Sequence, residues 1–119
     1  MAAKMRNEYG VITIDNEVIA RIAGLAAMDC YGIVGMAAKN VKDGIVHLLK
    51  IESLTKGVKT VLAEDMSLSC DLHIIVEYGT NFSAIGETLV STVKYHIEEY
   101  TGLTVNKVNI FIEDVRVDN

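Results

Sequence analysis

Ser67-Leu68-Ser69-Cys70-Asp71-Leu72-His73-Ile74-Ile75-Val76-Glu77-Tyr78 is the stretch whose reading decides the fold. Leu68, Cys70, Leu72, Ile74, Val76 and Tyr78 alternate with Ser67, Ser69, Asp71, His73, Ile75 and Glu77. A period of two places one set on a buried face and the other on a largely polar one, which a helix cannot satisfy. The stretch is a strand, and the neighbouring segments arrange themselves around it.

Downstream, Gly79-Thr80-Asn81 leads into a helix capped by Asn81 or Ser83 and reaching Tyr100. Phe82, Ile85, Leu89, Val93, His96 and Tyr100 form its apolar stripe, with Val90 and Ile97 on the flank. Gly102 sits where a left-handed C-terminal cap is wanted. Val108, Ile110 and Ile112 then alternate with Asn109, Phe111 and Glu113, while Val105 is out of register, which predicts a bulge at Asn106-Lys107. Residues 67–117 thus read as a strand, helix, strand unit, and a right-handed crossover would make its two strands parallel in one sheet.

Upstream, Val58 to Ala63 forms a short strand, and Glu64-Asp65 turns it into an antiparallel hairpin with the long strand. Asn40 to Glu52 reads as a short helix through Ile45, Leu48, Leu49 and Glu52, broken at Ser53 to Gly57. Tyr9 to Ile14 is a short strand, after which Asp15 caps a helix running to about Asp29, with Glu17 in its first turn. Val18, Ile22, Leu25 and Ala26, flanked by Ile19 and Ala23, give that helix a broad apolar arc. Its opposite side is small: Ala20, Gly24 and Ala27 beside Met28. A helix apolar nearly all round is buried on two sides. Either the short helix of the same chain covers the small face, or that face is an interaction surface for a second copy or a partner, because Ala20 and Gly24 permit close approach.

The expected fold is α+β: a mainly antiparallel or mixed sheet of about four strands with helices on one face, in a ferredoxin-like arrangement. At 119 residues the chain forms one domain, residues 1–119. Half its residues are hydrophobic, too many for disorder, yet no apolar run approaches the roughly 20 residues of a membrane span. The N-terminus carries no apolar signal region, so a cytoplasmic protein is expected. Sixteen acidic against 11 basic residues leave a net charge of -5 without a basic cluster, which disfavours nucleic acid. Cys30 and Cys70 fit no metal or redox spacing and read as small core thiols.

Three groupings could carry chemistry. Asp71, His73 and Glu77 share one face of the long strand and would suit a metal or general-base site, but nothing supplies a third ligand or a nucleophile. Gly32-Ile33-Val34-Gly35 matches a GXXG pattern that clamps RNA backbones, though its central residues are Ile and Val rather than cationic. A tight turn explains the same glycines. His96 lies within an apolar stripe and reads as a histidine satisfied by its neighbours, and His47 carries no signal. No catalytic, cofactor-binding or metal-binding residue is assigned.

Taken together, Tyr9-Gly10-Val11-Ile12-Thr13-Ile14, Val18 to Ala26, Tyr31 to Met36, Leu72 to Asn81, Val93-Lys94, Thr101-Gly102-Leu103 and Val108-Asn109-Ile110 resemble the alkaline shock protein family of bacterial envelope-stress proteins, in particular its YloU-like branch. The segments follow the family's order over nearly the whole chain. The resemblance implies a non-enzymatic protein-interaction module without a cofactor, linked to envelope homeostasis and able to self-associate. In some relatives an integral membrane partner holds it at the membrane. Longer relatives carry extended charged termini, of which this chain has almost none.

Overall fold

A computed structural model describes residues 2–39, 46–49 and 51–117. Its elements are β1 (Ala3–Asn7), β2 (Gly10–Ile14), α1 (Asn16–Met28), β3 (Ile33–Lys39), β4 (Val46–Leu48), a 3-10 segment (Ile51–Gly57), β5 (Val58–Leu62), β6 (Leu68–Glu77), α2 (Phe82–Thr101) and β7 (Val105–Arg116). The architecture is mixed α+β with both helices on one face of the main sheet.

The long alternating stretch is β6, and it is the central strand. Along one edge it pairs with β5 over Leu68 to Leu72 and with β3 over Ile74 to Val76, both antiparallel. Along the other it runs parallel to β7 for its whole length. Leu68, Cys70, Leu72, Ile74 and Val76 are fully buried beneath the helices, joined in the core by Ile19, Ala23, Ala26 and Ala27 of α1 and Ile85, Leu89, Val93 and Ile97 of α2. The predicted bulge is present: Val105 faces Leu68, but Lys107 faces Ser69, so Asn106 is the extra residue. A second bulge makes Glu113 extra between Ile112 and Asp114.

The parallel crossover is as expected, but the ferredoxin-like order does not form. That arrangement splits the crossover by inserting another strand between the two it joins. Here β6 and β7 are direct neighbours.

The caps follow the sequence. Asp15 accepts from the Glu17 amide at 3.0 Å, Asn81 from the Ala84 amide at 3.0 Å, and Gly102 adopts φ 76° at the end of α2. The stripe of α2 differs from the expected one. Ile85, Leu89, Val93, Ile97 and Thr101 are buried, a strict four-residue spacing that keeps to one side of a short contact. Phe82 and Tyr100 are exposed instead.

Two upstream expectations need correction. The helix over Asn40 to Glu52 is replaced, in its described part, by β4 paired antiparallel to β3 and then the 3-10 segment; residues 40–45 and 50 lie outside the described residues. The strand at Tyr9 to Ile14 begins at Gly10 and is half of a hairpin, because Ala3 to Asn7 pairs with it antiparallel. Asn7 Oδ1 accepts from the Tyr9 amide at 2.8 Å in the turn.

Candidate functional site

The two sides of α1 are the reverse of the expectation that its large apolar arc is the main buried face. Ile19, Ala20, Ala23, Gly24, Ala26 and Ala27 are buried, so the helix is pressed into the molecule by its small residues. A Cβ placed on Gly24 would lie 3.3 Å from Leu54 Cβ. That contact identifies the cover: Leu54, 2% exposed, on the 3-10 segment. Ala20, Gly24 and Ala27 therefore belong to this chain's own core, and Met28 is half-buried against it. Close approach is indeed what the small residues permit, but the partner is intramolecular.

The large residues were left outside. Val18 is 50% and Leu25 48% exposed. With Ile22 they line a shallow groove of about 430 Å³ whose polar border is Asp15, Glu17 and Arg21. An apolar strip with charges along its border, on a well-capped helix, has the anatomy of a docking surface.

The polar face of β6 is spoken for. Asn109 Nδ2 donates to Asp71 Oδ1 at 2.9 Å, and His73 Nδ1 lies 2.8 Å from Glu113 Oε2. The His73 ring stacks on Phe111 with centroids 4.8 Å apart. Asp71 and His73 thus each turn to a separate partner on β7 rather than toward one another. Among the described residues no three His, Cys, Asp or Glu side chains gather as metal ligands.

The glycine pair is also structural. Gly32 has φ +85°, and a Cβ there would meet Ile85 Cδ1 at 2.5 Å. At Gly35 it would meet Leu48 Cδ1 at 2.6 Å. Both positions require glycine because this chain's own side chains fill the space. His96 Nδ1 is 2.8 Å from the Thr92 carbonyl oxygen, to which it donates as the protonated nitrogen, and its ring meets Tyr95 and Tyr100 edge-on. Cys30 and Cys70 are buried free thiols. Burial, with a smaller contribution from Asp71, pushes the Cys70 thiol up to about 12, so it stays neutral and unreactive.

A profile of the alkaline shock protein/Gls24 family, described by its cell envelope-related function, matches residues 4–117. The chain belongs to the alkaline shock protein family. Its relatives there include the uncharacterized protein YloU of Bacillus subtilis, 47% identical over 120 residues that span 100% of this chain and 99% of YloU. The uncharacterized protein Spy1614 of Streptococcus pyogenes is 33% identical, over 98% of this chain and 97% of its own. A stress response regulator gls24 homolog of Streptococcus pyogenes is 30% identical over 90% of this chain, which spans only 59% of that longer relative. No solved structure matches. The alkaline shock resemblance, with its YloU-like branch, is borne out by these matches.

Two features of the site escaped the sequence. The outward turn of Val18 and Leu25 is invisible to a hydrophobic pattern, which counts large apolar residues as core. Glu113 as the partner of His73 depends on a bulge two residues beyond Phe111, and only Glu113's position on the polar side of β7 hinted at it.

Proposed function

We propose that this protein is a non-enzymatic docking module of cell-envelope homeostasis and stress, working in the cytoplasm and held near the membrane by a protein partner. The observation that carries the reading is the outward face of α1, where Val18 and Leu25 stand half-exposed over Ile22 between Asp15, Glu17 and Arg21. The family's cell envelope-related description supplies the setting. Among the described residues no helix is long and apolar enough to cross a membrane, so a membrane location would come through a partner.

The fitting partner segment is an amphipathic helix, for instance from the cytoplasmic side of an integral membrane protein. Its apolar stripe would cover Val18, Ile22 and Leu25, and its flanking basic and acidic residues would meet Glu17 and Arg21. Fractionation of cells carrying Leu25→Asp tests this. The variant should fold normally yet leave the membrane fraction for the soluble one; retention at the membrane by the folded variant would reject the assignment of this face.

A further inference from the structure

The outer edge of β7 offers a second, independent surface. Among the described residues β7 pairs with β6 alone, so its other edge presents a row of unpaired amides and carbonyls. The bulges at Asn106 and Glu113 bound a regular window, Lys107-Val108-Asn109-Ile110-Phe111-Ile112. Edge strands of stable proteins are blunted by prolines, repeated charges or cover. The chain has no proline, and Lys107 is the only charge in the window. Beside this edge, α2 and β7 enclose a groove of about 710 Å³ lined by Phe82, Gly86, Val90, Val108, Ile110 and Phe111. Phe82 and Phe111 are 44% and 43% exposed.

We propose that Lys107 to Ile112 pairs antiparallel with the same window of a second copy, about a two-fold axis through Ile110, joining the two main sheets into one. The charge pattern selects this occupant. In that register Lys107 lies opposite Glu113 of the partner, and symmetry repeats the pair. Both side chains stand on the outer face, since Lys107 is level with Ser69 and Glu113 reaches His73. On the helix side Ile110 meets its own copy, and Val108 meets Ile112. Opposite charges directly across an antiparallel pair fix the register, and an isologous contact closes on itself. Gly86 completes the fit: a Cβ there would meet nothing within 4 Å, which leaves the two α2 helices room to approach over the joined sheet.

The test is the oligomeric state of the purified chain by sedimentation, with two engineered perturbations. The wild type should dimerise in the micromolar range. Lys107→Glu should weaken the dimer about tenfold by setting two like-charge pairs opposite each other, and adding Glu113→Lys should restore it. Ile110→Cys should form an intermolecular disulfide at the axis, where paired Cα atoms lie about 4.5–5.5 Å apart, while Val108→Cys should not. Gly86→Gln should keep the monomer at least as stable, because glycine is a poor helix former, yet weaken the dimer. A monomer throughout the micromolar range would overturn the proposal. So would a dimer in which Ile110→Cys fails to crosslink or the charge reversal fails to rescue.

Discussion

The two faces of α1 invert the usual assignment of large apolar residues to the inside. The face bearing Ala20, Gly24 and Ala27 is closed by Leu54 and the core, whereas the face bearing Val18 and Leu25 is open. Close packing explains the difference. A helix wedged between a sheet, a second helix and the 3-10 segment needs small side chains so that backbones can approach, and the volume is supplied by the neighbours, here Leu54, Leu72 and Ile74. Exposed Leu25 is therefore no accident of a crowded core. It occupies a face that folding does not use.

If the small face is core and the large face is surface, substitutions on the two should separate sharply. Leu54→Ala removes the knob that fills the space beside Gly24 and should cost about 3 kcal/mol in a denaturant melt. Gly24→Leu places a branched side chain where a Cβ alone would already be 3.3 Å from Leu54. Overpacking should cost about 2 kcal/mol, against a smaller gain in helix propensity. A Gly24→Leu protein as stable as wild type would break the comparison.

The pH dependence of stability sharpens it, by asking whether the layer beneath the helices is dry. Burial raises the folded-state pKa of Cys70 from 9.0 to about 12. Between those values the unfolded chain loses the thiol proton and the folded chain keeps it, so this contribution to stability is complete below pH 9 and is lost as pH climbs toward 12. By pH 10 the loss should be roughly 1 kcal/mol, and Cys70→Ala should flatten that alkaline limb. Leu25→Asp should have the smallest effect on folding, within about 0.5 kcal/mol by the same melts, because the face it alters is outside the core.

The central unit was legible because its signals are local and redundant. Alternation from Leu68 to Val76, the Asn81 and Gly102 caps and the misregistered Val105 each say the same thing about residues 67–117. Upstream the signals are weak. β1 is Ala-Lys-Met-Arg-Asn, with too little apolar content to announce a strand, and its pairing becomes visible only with the turn at Asn7. β4 spans only Val46 to Leu48, shorter than a period of two can establish, so its apolar residues passed for part of a helix. For the site, a hydrophobic pattern correctly gave α1 two apolar faces but could not tell which one the chain covers. That depends on where Leu54 lands, a contact far from Gly24 in sequence.

The most direct test of the account is photo-crosslinking in living cells from a reactive residue installed at Leu25, with Glu64 in the exposed β5–β6 turn as the control position. The account predicts one dominant protein adduct from position 25, absent from position 64 and lost when Val18→Asp is added. Equal labelling from both positions, or an adduct indifferent to Val18→Asp, would contradict a docking role for the outward face of α1.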